Sequence, residues 1–327
     1  MISKSTLQQA AREGLLSAEQ IEPLHRFIQQ QASGTEPTTA ESLKFIRSFG
    51  DIFITLGIVF LLMAINMTSL SGLSNLLPVL IFVVLAEWLL RHRRLVLPGM
   101  AILIALLFFI NKAISFDTEY ALESAFLLLS VSSLLFYWRY KLPFALLPLA
   151  AGLVALFSVI IGLDLLQQPA ILALPGLIIF SIALWFDTQD TARASSLSDN
   201  AFWLYLLAAP LIVHALMVTL IISESAINKN ILMMLFFAVF FLLALLIDRR
   251  IILVSSQLYL IYALTQLLQN QLGSTQEMMM YILIGLALFV IYFGTYWYKT
   301  RRLIFGALSA TKIAAWLPAF EADDLRH

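Results

Sequence analysis

The chain has 327 residues, 61% hydrophobic and 12% charged, with 20 Lys+Arg against 20 Asp+Glu, where a soluble domain carries roughly 45–50% and 25%. That composition excludes a water-facing globular surface, and the absence of cysteine excludes disulfides, thiolate nucleophiles, Cys-ligated zinc and iron–sulfur clusters. Unpaired backbone groups are too costly in hydrocarbon, so spanning elements are helices or a closed barrel; the apolar runs lack the alternation of barrel strands, and the fold class is read as all-α, a polytopic membrane bundle.

Residues 1–32 read as a small helical hairpin. Ser5 stands three positions before Gln8 and Ser17 three before Gln20, two capping-box starts, with Gly14 as the left-handed stop between them. Its apolar face, built from Leu7, Leu15, Ile21, Leu24 and Phe27 among others, is too small to be stable alone and is expected to dock on a membrane-protein partner or on the chain's own loops. Lys4, Arg12 and Arg26 are balanced by Glu13, Glu19 and Glu22, which leaves no basic stripe for nucleic acid. No apolar run follows a basic start here, so no cleavable leader is expected and the first span acts as an uncleaved anchor. Residues 33–48 form a polar linker and a juxtamembrane lead-in.

Residues 49–302 read as a ten-span membrane domain, since a hydrocarbon core takes about 20 helical residues. The runs are Ile52–Met67, Leu73–Leu90, Leu95–Ile110, Ala121–Trp138, Leu142–Leu163, Ala170–Phe186, Ala201–Ile222, Ile231–Ile247, Ile251–Leu268 and Met278–Tyr298. Basic residues follow the even-numbered spans: Arg91, Arg93 and Arg94, then Arg139 and Lys141, then Arg193, then Arg249 and Arg250, then Lys299, Arg301 and Arg302. Only Lys112 and Lys229 follow odd-numbered ones, and the bias predicts a cytoplasmic N-terminus.

Leu303–Phe320 has the length of a span and carries Trp316, but Lys312 sits near its middle and Pro318 near its end. It reads as an eleventh span or an interfacial helix, followed by a polar tail over 321–327. The block from Met63 to Leu97 recurs in outline from Met217 to Val254, with Arg93-Arg94 matching Arg249-Arg250 and Ser69 matching Ser225. On that alignment the chain holds two parallel five-helix repeats, spans one to five against seven to eleven, with span six as connector.

The segment G-L-L-S-A-E-Q at Gly14–Gln20, the linker, the many spans and the closing R-R-L-I-F-G-A-L at Arg301–Leu308 resemble uncharacterised bacterial polytopic membrane proteins of the domain-of-unknown-function type. The resemblance implies a bacterial inner membrane and no activity.

Ionisable groups at membrane depth are functional candidates by default. Asp51 has Arg47 one turn back and Glu87 has Arg91 four residues on, spacings that suit structural ion pairs. Asp187, Asp248, Asp164 and Glu224 lie at span ends and are read as ordinary interfacial charges. His214 falls well inside span seven, four residues after Pro210, where it could relay protons, bind an anion or hydrogen-bond a neighbouring helix. In span nine Tyr259, Tyr262 and Gln266 follow helical spacing, with Gln257 facing elsewhere. Lys312 needs a carboxylate or must snorkel if its stretch crosses. His214, Lys312, Gln257, Tyr262 and Gln266 are therefore the candidate intramembrane polar site.

No H-E-x-x-H, G-x-S-x-G or P-loop is present, so no enzyme, metal or cofactor is expected. Two readings remain: an accessory or scaffold protein that holds a partner in the bilayer, and a secondary transporter for a small solute. The span count, the repeat and His214 favour transport; 13 glycines without a G-x-x-x-G pattern offer little of the close packing expected around a moving site.

Overall fold

Each apolar run becomes a helix, and most ends fall within a few residues of where hydropathy stops. The computed structural model describes residues 48–68, 70, 72–93, 95–114, 120–162, 168–191, 193, 195–222, 229–268 and 275–307, with positions 7, 17, 20, 21, 23, 24, 316 and 317. The helices are α1 (Phe49–Asn66), α2 (Leu76–Ala86), α3 (Val96–Ala113), α4 (Ala121–Tyr140), α5 (Leu146–Ile160), α6 (Ala173–Gln189), α7 (Ser196–Ile222), α8 (Lys229–Ile247), α9 (Ile251–Leu268) and α10 (Thr275–Phe305). Helix α2 is entered through a 3-10 turn at Gly72–Asn75 and left through a π turn at Glu87–His92. With these turns, and with the 3-10 turns Pro143–Ala145 before α5 and Pro169–Leu172 before α6, all ten are long and apolar enough to cross a membrane, and the chain is an integral membrane protein.

The tenth helix departs from expectation. It does not stop at Tyr298 but runs through Lys299–Arg302 to Phe305, over 31 residues, with a kink at Tyr296 (φ −105°, ψ 22°). Leu303–Phe305 therefore continues α10 instead of opening a new element. The remainder of the predicted eleventh span, Lys312 included, lies outside the described residues apart from Trp316, which is exposed, and Leu317, which is buried. Most of the N-terminal hairpin also lies outside them; at its second predicted start Gln20 Oε1 accepts from the Ser17 amide at 3.2 Å.

Helices α1 and α2 both lean on α3, and α3 packs on α4; α7 and α8 both lean on α9, and α9 packs on α10. Helix α6 is more than a connector, because it packs along α7 over the most extensive helix pair of the bundle. Gly176 permits that approach: a Cβ there would stand 2.8 Å from Ile212 Cγ1 and 3.2 Å from the Ile212 amide nitrogen.

Two apolar cores result. One gathers Phe82, Ala86, Ile102, Leu103 and Phe109 around α3; the other gathers Tyr205, Val213, Met217, Met233, Leu245 and Ile252 around α7. Tyr137 and Ile251 touch both. The outer wall is equally apolar, with Phe53, Phe60, Leu80, Leu135 and Leu258 exposed, as a lipid-facing surface requires.

Polar contacts distinguish the two ends of the bundle. At one end α1 and α3 finish together, where Lys112 Nζ donates to Asn66 Oδ1 at 3.2 Å, and Lys229 donates to the Ile221 carbonyl at 3.3 Å. At the other end the even-numbered helices finish and most of the described charges gather. This second end is called the basic face below.

Candidate functional site

The richest chemistry lies on the basic face, in residues that the sequence marked only as span ends. Helix α8 stops in a Schellman motif: the Arg249 amide bonds the Ala244 carbonyl at 2.9 Å and the Asp248 amide bonds Leu245 at 3.4 Å. The motif places Asp248 in the left-handed region at φ 56°, where glycine is the usual occupant. An aspartate stands there, and its carboxylate is fully used. Oδ2 accepts from Arg193 Nη1 at 2.9 Å and Oδ1 from Trp297 Nε1 at 2.6 Å.

The short Asp248–Arg250 turn drives Arg249 into the bundle, where only 2% of it is exposed. Arg249 Nε donates to Asp187 Oδ2 at 3.0 Å, and Nη2 donates to Asp187 Oδ1. The same Nη2 reaches the Ser198 carbonyl at 3.0 Å and the Ser198 hydroxyl at 2.9 Å, and the guanidinium lies 5.8 Å from the centre of the Tyr205 ring. A buried ion pair survives desolvation only with such bidentate geometry and further hydrogen bonds. Tyr205 itself is wholly buried, with Asp187, Arg249 and Arg193 as the charges around its hydroxyl.

Two more guanidinium groups serve the end of α8. Arg193, itself left-handed at φ 50°, donates to the Ile247 carbonyl at 3.3 Å and to the Asp248 carbonyl at 2.8 Å. Arg301 donates to Leu245 at 2.9 Å and to Leu246 at 3.3 Å. These carbonyls lie at or just past the end of the helix, where its hydrogen-bond ladder runs out and cations are favoured by the dipole. The last contact also explains why α10 runs on: Arg301 is 1% exposed because its helix carries it into the bundle instead of out into a loop. Asn200 Nδ2, on α7, donates to the Tyr137 hydroxyl of α4 at 2.8 Å. The lattice thereby ties α4 to α7, and α6, α7 and α10 to the α8–α9 turn.

A second, more open cluster lies beside it. Glu87 Oε1 takes Arg91 Nη1 and Arg139 Nη2, each at 2.6 Å, and Oε2 takes the Tyr140 hydroxyl at 3.3 Å. The side chains of Glu87, Arg91 and Arg139 are 36%, 60% and 43% exposed, so water and salt weaken this set.

The residues singled out in sequence do not form one site. His214 is exposed, and its Nδ1 stands 2.5 Å from the Tyr259 hydroxyl, joining α7 to α9. Tyr262 packs against the second core; Gln257 is half-buried and Gln266 exposed. Asp51 is buried and holds the Ser48 hydroxyl at 3.0 Å at the start of α1, while Arg47 and Lys312 lie outside the described residues. Asp187 and Asp248 are not ordinary interfacial charges: they are 5% and 2% exposed and anchor the lattice. A sequence signal existed in the three-residue turn between two apolar spans, which is too short to carry Asp248 and Arg249 clear of the bundle.

Comparison with protein-family models, with curated proteins and with solved structures gives no match.

Proposed function

We propose that this is an accessory or scaffold protein of a bacterial inner membrane, with its N-terminus in the cytoplasm and no catalytic activity or cofactor of its own. The observation that carries the reading is the buried lattice of Arg249, Asp187, Ser198, Arg193, Asp248 and Trp297. It fixes the ends of several helices relative to one another and suits a rigid frame better than an alternating pathway. The crowding of basic residues on the same face supports a cytoplasmic orientation for that face, and the small amphipathic segment at residues 1–32 supplies a docking element for a membrane-protein partner.

The experiment pairs two measurements on the full chain. Affinity purification after in-cell crosslinking is expected to recover a defined membrane-protein partner that deletion of residues 1–32 removes. Solute uptake in reconstituted vesicles is expected to equal that of empty vesicles; uptake abolished by His214→Ala at unchanged expression overturns the scaffold reading.

The second reading, a secondary transporter, is favoured by one observation. The His214–Tyr259 pair spans α7 and α9 one turn beyond Pro210, a proline inside α7. A proline frees a carbonyl one turn earlier, and intramembrane histidines are common in proton and solute pathways.

A further inference from the structure

On the basic face, between the ends of α2 and α4 and the start of α7, lies an open cleft of about 500 Å³. Arg91, Arg139 and Lys141 line it together with Tyr140 and Ser196. Glu87 bonds both Arg91 and Arg139 and so sets two guanidinium groups at the cleft while neutralising only one charge. Lys141 is placed by an unfavourable backbone: it ends α4 in the left-handed region at φ 53°, a conformation that disfavours any residue but glycine. Its ammonium group lies 5.5 Å from the Tyr137 ring centre. Ser196, the first residue of α7, lines the cleft beside the three cations.

The rest of the wall is apolar, formed by Leu90, Leu95, Val96, Leu142 and Pro143. Just outside it α4 shows lipid Leu135 and Trp138, which are 58% and 70% exposed. Indole rings at that level belong to the headgroup region of a bilayer. A cleft that is cationic at its mouth, apolar along its wall and open beside a lipid-facing helix matches a phosphodiester with acyl chains attached.

We propose that this cleft binds the headgroup phosphate of an anionic phospholipid, with Arg91, Arg139 and Lys141 as the phosphate ligands and the apolar wall against the glycerol and upper acyl chain. The inference goes beyond the scaffold reading and holds for either function.

The test is native mass spectrometry of the full chain released from nanodiscs of equal phosphatidylglycerol and phosphatidylcholine. Wild type is expected to retain phosphatidylglycerol preferentially. Lys141→Gly is expected to weaken that retention about fivefold, the factor for one interfacial cation, and Arg139→Gln by a similar factor. Lys141→Gly guards against misfolding, because glycine accepts the left-handed backbone without cost. Equal retention of both lipids by wild type, or wild-type retention in both variants, overturns the proposal. Displacement of the lipid by inorganic phosphate at equal concentration also overturns it, in favour of a free-anion site.

Discussion

Arg249 holds Asp187 through Nε and Nη2, two parallel hydrogen bonds between residues 62 positions apart in the chain. The pair joins the end of α6 to the α8–α9 turn, and Ser198 at the start of α7 completes the guanidinium's coordination. Removing one member leaves the other charged and buried. Arg249→Met is therefore expected to destabilise the protein by about 3–5 kcal/mol, read as a loss of thermal stability in detergent or nanodiscs. In Asp187→Asn/Arg249→Met, where neither charge remains, most of that loss should return; a double variant as unstable as the single one would show that the pair is not acting as a unit.

Asp248 separates backbone strain from side-chain bonding. Asp248→Gly relaxes the left-handed position but loses the bonds to Arg193 and Trp297, whereas Asp248→Ala loses the same bonds and keeps the strain. Both are expected to be less stable than wild type, with alanine the worse by about 1 kcal/mol. Equilibrium unfolding of the two variants side by side measures the difference.

Two glycines should respond oppositely to alanine. At Gly176 the added methyl meets Ile212 and Leu211 at 2.8–3.2 Å, and forcing α6 from α7 is expected to cost about 1–3 kcal/mol. At Gly57 nothing lies within 4 Å, because α1 and α2 leave a groove of about 270 Å³ between them. Gly57→Ala should be neutral or stabilising by up to about 1 kcal/mol through helix propensity. Melting temperatures of both variants in the same detergent provide the comparison.

The chain has no native cysteine, so single-cysteine labelling reads its orientation directly. Met67 is 87% exposed at the end of α1, and His92 is exposed on the basic face. In intact cells an impermeant maleimide is expected to modify Met67→Cys and to spare His92→Cys until the membrane is broken. The reverse pattern would invert the proposed orientation.

His214 and Tyr259 offer a local test of helix–helix bonding. Tyr259→Phe removes the hydroxyl 2.5 Å from His214 Nδ1 and is expected to cost about 1 kcal/mol, the net value of one hydrogen bond. A cost near zero in unfolding measurements would mean that bilayer water or lipid satisfies the histidine equally well.

The sequence by itself determined the spans and the gathering of charge at one end, because hydrocarbon acts on each segment locally and its demand is written in continuous apolar length. Ile251–Leu268 falls at the same residues in the helix as in the apolar run, and the 2.6 Å contact of Glu87 with Arg91 follows from residues one turn apart on one helix. Only the tertiary structure decided which charges are buried and with whom. Asp187 and Asp248 look like any carboxylate at a span end until helix packing brings Arg249 and Arg193 to them from 62 and 55 positions away. Lys299–Arg302 reads as a loop for the same reason. Hydropathy cannot register that Arg301 has carbonyls of α8 to bond, and that long-range contact, not local polarity, keeps α10 helical to Phe305.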